Sequence, residues 1–346
     1  MRYLTGVAFG DGEDKVAGHS GQFLIGGEEL IVFADSRYTI QVRREAPDAR
    51  VEPVYGDLLE RWPVLLALIG ARRVGVEAAH LSHAQWERLA TAAPGTELVP
   101  IDGWVEADRA TKEPAEIERI SAACAVADRA LATVLPSIRP GRTELDVALE
   151  LEWAMRTGGA DGLAFDVACL SGPEAALPHG SPGDRPILAG AVLLFDFGAQ
   201  VAGYRSDMTR TLFVGEPSAR DLAIYELVAA AQVACLAGLQ SAVETGVPIS
   251  GPAADGLARA VIEAAGHGEH FGHGTGHGIG LATHELPSLG KRAGTEPLVG
   301  PTVFSVEPGV YLEGQTGVRI EDLVLFDVAG ARLERLTRFP RDVLVV

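Results

Sequence analysis

Short apolar segments alternate with helical patterns along the first third of the chain. Phe23–Ile25 and Leu30–Phe33 flank Gly26-Gly27, which predicts a β-hairpin. The remaining predicted elements are strands at 74–76 and 98–101 and helices near 56–69 and 82–92. This alternation predicts a small α/β domain.

The pattern changes at residues 107–114, a polar stretch that ends in Lys-Glu-Pro. Beyond it, apolar positions such as Ile120 and Ala127 recur at the spacing of one helix face. A chain of 346 residues exceeds what one hydrophobic core usually serves, so two domains are expected. We therefore predict one domain over 1–106 and a second over 107–346.

The second domain contains an internal duplication. A helix near 115–135 is followed by a Pro-Gly turn and a second helix that Thr143 opens. The same order returns with a helix capped at Ser218, where Asp221 stands three residues on, and a helix near 252–265. Each helix pair leads into β-rich sequence, which predicts two similar halves that face one another.

Composition excludes several classes of partner. The net charge of −18 opposes non-specific binding to nucleic acid or anionic membranes, and no apolar run approaches the ~20 residues of a membrane span. The N-terminus does not match a secretory signal, so a cytoplasmic protein is expected. Cys124, Cys169 and Cys235 each lie in an apolar stretch, which predicts buried free thiols.

Two acidic residues flank a predicted hairpin turn in the segment 193–211. A turn about Val201-Ala202 would place Asp196 directly opposite Asp207, where two like charges are unfavourable unless a cation lies between them. Two metal ions would fit such a gap. The alternative is that Asp196 belongs to a turn and Asp207 is solvated.

A second pair of acids repeats this arrangement. Glu307 and Glu321 flank a turn centred near Gly314, each within apolar strand sequence where an unpaired carboxylate is unfavourable. Each predicted half therefore supplies one carboxylate pair. Four carboxylates with a neutral imidazole suit Mn(II), Co(II), Fe(II) or Zn(II).

A glycine-rich string supplies candidate imidazoles. It runs from Phe271 to Glu285 and contains His273, His277 and His284. The glycines permit close approach of the backbone, but their spacing does not match the dinucleotide-binding pattern. One such histidine could be incidental, whereas three indicate a site.

These strings resemble the pita-bread metallopeptidases, in particular the prolidase and aminopeptidase P group. The resemblance covers nearly the whole chain, including Arg2–Gly6 and Ala34–Tyr38, which are similar to the creatinase-like N-terminal domain. It implies an α+β fold in which that small α/β domain precedes a pita-bread catalytic domain. The string at Arg2 usually follows a further helix and strand, so the first domain is trimmed at its start or the natural N-terminus lies upstream.

The resemblance also implies roles for individual residues. The implied metal ligands are Asp196, Asp207, His277, Glu307 and Glu321, with Asp207 and Glu321 bridging two ions. The implied substrate-binding residues are His179, His273, His284 and Arg319. Glu307 would also carry a proton, and His273 and His284 would share in catalysis with it. Two Mn(II) ions and a homodimer are the further expectations.

The implied activity is hydrolysis of the bond before proline in dipeptides or at peptide N-termini. Dipeptidase and aminopeptidase activities share all of these ligands, so the sequence does not separate them. A methionine aminopeptidase is a weaker alternative because it normally lacks the first domain, and a creatinase-like enzyme is weaker still. A non-catalytic binding protein is the remaining alternative, although no ligand position is lost.

Overall fold

The computed structural model describes residues 2–8, 22–54 and 58–346. The chain divides into two compact units, Met1–Val105 and Glu106–Val346. Each unit has its own buried core of apolar side chains.

The first unit is a small α/β domain. Its elements in chain order are α1 (Arg2–Thr5), β1 (Phe23–Gly26), β2 (Glu29–Ala34), α2 (Thr39–Glu45), β3 (Arg50–Pro53), α3 (Leu58–Leu68), β4 (Arg73–Glu77), α4 (His83–Ala92) and β5 (Glu97–Ile101). The predicted hairpin is confirmed, since β1 and β2 pair antiparallel about Gly27. β3 adds parallel to β2, and β4 pairs parallel with β5.

The polar stretch at the predicted domain boundary, residues 107–114, contains regular structure. Helix α5 (Trp104–Ala110) occupies its first half, and the Lys112 side chain beyond that helix is buried. Its ammonium donates to Oε2 of Glu285 at 3.3 Å. A polar group in this stretch is therefore satisfied by a partner that is distant in sequence.

The second unit begins with two helices packed on a sheet. These elements are α6 (Pro114–Val134), α7 (Glu144–Thr157), β6 (Gly162–Leu163), β7 (Ala168–Ser171), β8 (Val192–Phe197), β9 (Ala199–Val201), β10 (Tyr204–Arg205) and β11 (Met208–Phe213). A capping box at Thr143 opens α7, as predicted. β8 lies between β7 and β11 in an antiparallel sheet.

The same order of helices and strands then returns, which supports the predicted duplication. These elements are α8 (Ala219–Thr245), α9 (Gly251–Ala264), β12 (Gly276–Gly278), β13 (Glu285–Leu289), β14 (Thr302–Val306), β15 (Gly309–Leu312), β16 (Thr316–Arg319), β17 (Asp322–Asp327) and β18 (Arg332–Arg335). Ser218 caps α8 and Gly246 ends it in the left-handed conformation. Five strands form one sheet in the order β13-β12-β14-β17-β18.

Alternate residues of β8 enter different cores. Leu194 packs in the cluster that α8 and α9 supply, whereas Leu193 and Phe195 pack in the cluster of α6 and α7. The sheet β7-β8-β11 is therefore buried on both faces, which explains its near-continuous apolar sequence. The three cysteines are buried and free, as predicted.

Two helices are long and apolar enough to cross a membrane by length and composition alone, Pro114–Ser137 and Ala219–Thr245. Core helices of soluble proteins pass the same test. Leu131 of the first and Leu239 of the second are fully buried inside the protein. Both helices therefore use apolar side chains for internal packing.

Candidate active site and metal centre

The register of the first hairpin differs from the prediction. Asp196 lies opposite Thr209, and Phe197 lies opposite Met208, so Asp196 and Asp207 are not directly opposed. The turn is centred on Ala202-Gly203, where both residues have positive φ. Such a turn favours glycine at its second position, and this moves its centre by one residue.

That shift keeps the two aspartates on one face. Thr209 and Asp207 are two residues apart on the same chain, so both lie on the face of Asp196 by the alternation of a strand. Asp207 falls between β10 and β11, and the residue across from it is Gly198. A Cβ on Gly198 would lie 1.9 Å from the Ser206 carbonyl oxygen, so only glycine fits this close approach.

The second hairpin agrees with the prediction. Gly309 pairs with Arg319 and Leu312 with Thr316, which centres the turn on Gly314 at φ +67°. The pairing of Val306 with Asp322 follows the same register. Glu307 and Glu321 are the next two positions inward, so they stand across from one another where the paired strands part.

His277 is placed by β12 between β13 and β14. Its backbone N–H donates to Oγ of Ser305 at 3.0 Å, and its ring Nδ1 lies 3.1 Å from the Gly278 carbonyl oxygen. That carbonyl can only accept, so Nδ1 carries a proton and Nε2 is left as a potential ligand. Nε2 lies 3.2 Å from Oε1 of Glu307 and 3.6 Å from Oδ2 of Asp207.

Asp207, His277 and Glu321 form a group that could hold a metal ion. One potential ligand atom of each lies within 4.8 Å of the others. The Asp207 and Glu321 side chains are almost completely buried. Each half of the duplication contributes to this group, as the carboxylate pairs predicted.

Burial dominates the electrostatics of the carboxylates. It raises the pKa of Asp207 well above its usual range, and the charge of Glu321 adds to the shift. Burial, with the charges of Glu307 and Asp196, raises the pKa of Glu321 to about 8. The pKa of Asp196 is raised by burial and moderated by Arg319. These carboxylates repel one another at close range without a compensating cation.

For His277 and Glu307, each partner's effect on the other's pKa outweighs that of burial. Burial would raise the pKa of Glu307, but the hydrogen bond and charge of His277 outweigh it and set that pKa to about 2. Burial likewise opposes the charge on His277, yet Glu307 raises the pKa of the imidazole to about 9. The two side chains therefore form an ion pair in the metal-free protein.

Two buried carboxylate oxygens lack hydrogen-bond partners among residues 2–8, 22–54 and 58–346. They are Oδ1 of Asp196 and Oε1 of Glu321. An unpaired buried carboxylate oxygen is unfavourable, and a hard cation would satisfy it. The donor set of four carboxylates and one imidazole therefore fits a pair of divalent ions.

Arg319 contacts a predicted ligand directly. Its Nη2 donates to Oδ2 of Asp196 at 2.6 Å, its Nε donates to Oγ1 of Thr209 at 2.8 Å, and its Nη1 donates to the Tyr311 hydroxyl at 2.8 Å. Asp196 is therefore oriented by Arg319. This arginine is buried, so its contacts in the structure are with the protein.

The other predicted substrate residues surround the carboxylates. His284 is exposed, and its ring lies 4.2 Å from that of His277 between centroids, tilted by 44°. His179 is also exposed, and its charge acts on Asp196 and on His284. His273 is partly buried, with Nε2 2.8 Å from the Tyr311 hydroxyl. Burial lowers the pKa of both His273 and His284, which favours neutral rings.

Three supporting residues were not predicted. Thr209 donates to Oε2 of Glu321 at 2.7 Å, and Ser305 donates to Oε1 of Glu307 at 2.9 Å. Tyr311 links His273 to Arg319. Ser305 could have been found, because it lies two residues before Glu307 on the same strand face. Thr209 required the correct turn centre.

Two family models match the chain in sequence. The creatinase/prolidase N-terminal domain matches residues 1–111, and metallopeptidase family M24 matches residues 118–327. Together they span both compact units.

Similar proteins carry names within one functional group. An Xaa-Pro dipeptidase of Pyrococcus horikoshii is 37% identical over 80% of this chain and 76% of that protein. An Xaa-Pro dipeptidase structure from Bacillus anthracis has a TM-score of 0.88 at 34% identity and covers 100% of this chain and 92% of that one. An X-Pro aminopeptidase structure from Thermotoga maritima has a TM-score of 0.84 at 36% identity, with coverage of 94% and 90%.

This family is dependent on two metal ions, and the carboxylates and imidazole described above fit that requirement. With its pita-bread catalytic domain and its creatinase/prolidase N-terminal domain, the chain belongs to metallopeptidase family M24.

Proposed function

We propose that the protein hydrolyses the peptide bond before proline and depends on two divalent metal ions, with Mn(II) as the favoured metal. The observation that carries the proposal is the convergence of Asp207, His277 and Glu321, with Glu307 and Asp196 beside them. Relatives of similar length and fold are named Xaa-Pro dipeptidases or aminopeptidases, which supports the preference for proline.

The five side chains would hold the metal pair as a set. They are Asp196, Asp207, His277, Glu307 and Glu321, and Arg319 orients Asp196 among them. Such a pair supplies a water of lowered pKa and a positive field for the scissile carbonyl.

The chain's own residues would manage the protons and the substrate. Glu307 lies beside His277 and would carry a proton to the proline nitrogen as that nitrogen leaves. The neutral ring of His284 can donate a hydrogen bond to the carbonyl oxygen as it gains charge. His273 and His179 would bind around the proline.

A bond before proline is a tertiary amide without N–H, so ordinary backbone contacts cannot recognise it. Imidazoles around a metal pair would bind such a substrate through other contacts. We further propose a cytoplasmic homodimer that acts on proline-containing dipeptides or short peptides, and neither nucleic acid nor a membrane is an expected partner.

The test removes and restores the metal. Dialysis against a chelator should abolish cleavage of Ala-Pro, and Mn(II) or Co(II) should restore it. Cleavage that is indifferent to the chelator would exclude the mechanism.

Comparison of Ala-Pro with Ala-Pro-Ala would separate dipeptidase from aminopeptidase. Failure on both, with turnover of Met-Ala peptides, would favour a methionine aminopeptidase instead.

A further inference from the structure

Asp255 and Arg259 of helix α9 form a buried ion pair that contacts the glycine-rich string Phe271–Glu285. Nε and Nη2 of Arg259 donate to the two carboxylate oxygens of Asp255 at 2.8 and 2.9 Å. The side chain of Arg259 is 7% exposed and that of Asp255 is 1% exposed, so the pair is removed from solvent. Neither residue contacts the carboxylates of the metal centre in the described hydrogen bonds, and the proposed reaction does not use them.

The pair binds three alternate residues of the string. Nη1 of Arg259 donates to the Phe271 carbonyl at 2.9 Å, and its Nη2 donates to the His273 carbonyl at 2.7 Å. Oδ1 of Asp255 accepts from the backbone N–H and the hydroxyl of Thr275 at 3.0 and 2.9 Å. The guanidinium also lies 4.1 Å from the centre of the Phe271 ring.

From these three residues, contacts lead directly into the site. The Thr275 carbonyl accepts from the backbone N–H of Glu307 at 2.7 Å. The Phe271 ring stands edge-on to the His273 ring, 5.1 Å between centroids. The His273 ring then meets Tyr311. The ion pair therefore fixes the backbone on both sides of His273 and the ring that packs against it.

Two glycines beside Thr275 bring no side chain with which the string could pack. A Cβ on Gly274 would lie 2.8 Å from the Leu289 carbonyl oxygen, and one on Gly276 would lie 1.9 Å from that of Ser305. Glycine is required for these close approaches, and glycine also has the greatest backbone freedom to lose. The ion pair is therefore one restraint on this part of the string, beside the burial of Phe271 and the strand pairing of β12.

Stability alone is a poor explanation for this ion pair. A buried ion pair is often no more stabilising than apolar side chains of the same volume, because both charges lose their water. What apolar side chains could not do is bind two carbonyls and one N–H at fixed geometry. Arginine is suited to this because its planar fork presents several donors at once.

We propose that Asp255 and Arg259 are positioning residues that set the orientation of the His273 ring for substrate binding. The part of the inference that gives His273 a role in substrate binding rests on the proposed function. The claim that the ion pair controls the position of the His273 ring does not depend on that function.

The first test observes the ring without any turnover. Protein labelled at the histidine Cε1 carbon and loaded with Zn(II) gives one resonance per ordered histidine, and His273→Ala identifies that of His273. Arg259→Lys keeps the positive charge but removes the planar guanidinium and its several donors. It should shift the His273 resonance by more than the width of that resonance. The resonances of His80 and His83 on the first unit should stay in place.

A matched control separates positioning from loss of stability. Leu239→Ala removes a fully buried side chain of α8 from the core that includes α9, without touching the ion pair. It should lower the melting temperature and leave the His273 resonance unmoved. Thr275→Val removes one hydrogen bond to Asp255 and serves as the test if Arg259→Lys fails to fold. It should move the His273 resonance by less than Arg259→Lys does. An unmoved His273 resonance in the folded variant overturns the inference.

The second test is a kinetic double-mutant cycle on Ala-Pro. Arg259→Lys should lower kcat/KM about tenfold to a hundredfold in the native background, mainly through KM. In a His273→Ala background the same change should cost about twofold or less. Equal losses in both backgrounds would overturn the inference. If the native protein fails to cleave Ala-Pro, the proposed function fails, and the resonance test still decides the role of the ion pair.

Discussion

The hydroxyl of Thr209 donates to Oε2 of Glu321 at 2.7 Å and accepts from Nε of Arg319 at 2.8 Å. This threonine stands opposite Asp196 on the neighbouring strand. Its hydroxyl therefore links Glu321 to Arg319, and Arg319 in turn donates to Oδ2 of Asp196. Several predictions can be tested around this chain of contacts.

Thr209→Val should weaken metal binding. The valine keeps the shape but leaves Glu321 without its donor, and loss of a residue that orients a ligand typically lowers metal affinity about 10- to 100-fold. Titration of the metal-free protein with Mn(II) measures this. Thr302→Val is the matched control, since the Thr302 hydroxyl is buried with no partner among the described residues. Equal affinities for both variants would contradict the role of Thr209.

Glu307→Gln should impair turnover more than binding. A carboxamide cannot accept and return a proton, so kcat for Ala-Pro should fall about 10²- to 10⁴-fold. Steady-state kinetics at saturating Mn(II) measure the effect. The exposed Glu313 at the hairpin turn provides the control, and Glu313→Gln should leave kcat unchanged. A Glu307→Gln enzyme with native kcat would rule out the proton role.

Metal affinity should rise with pH. In the metal-free protein the pKa of Glu321 is raised to about 8 by burial and neighbouring carboxylates. The pKa of His277 is raised to about 9, because Glu307 outweighs the effect of burial. Both groups hold protons at neutral pH, and a cation must displace them, so binding becomes tighter between about pH 7 and 9. Calorimetry in buffers of different ionisation enthalpy should detect proton release, and an affinity independent of pH would be inconsistent with these shifts.

Gly276→Ala should be strongly destabilising. The new Cβ would lie 1.9 Å from the Ser305 carbonyl oxygen, so β12 must move away from β14. A loss of about 1–3 kcal/mol or more in the free energy of unfolding is expected. Gly272→Ala, in the same string, meets nothing within 4 Å and should cause a far smaller change. Denaturant unfolding of both variants measures the difference, and similar stabilities would mean that the strand can adjust.

The elements and the ligand types were accessible from sequence because they depend on local patterns. Thr143 and Ser218 indicated where helices begin. Apolar flanking residues indicated the strand that contains Asp196 and the strand that ends just before Glu307. The hairpin about Gly314 was placed correctly, since a glycine marks its turn. The hairpin of Asp196 was placed one residue off. Gly203 marks the second position of its turn, whereas Ala202 at the first position adopts a positive φ that alanine rarely has.

The sequence by itself determined which residue types are available, in which order, and that two halves each carry a carboxylate pair. Only the tertiary structure decided that Thr209 and Ser305 orient those carboxylates and that Lys112 and Arg259 are buried with acidic partners. The physical reason is the separation along the chain over which each kind of interaction acts. Strand alternation and capping act within a few residues, whereas a hydrogen bond or ion pair between distant segments depends on how the whole chain packs.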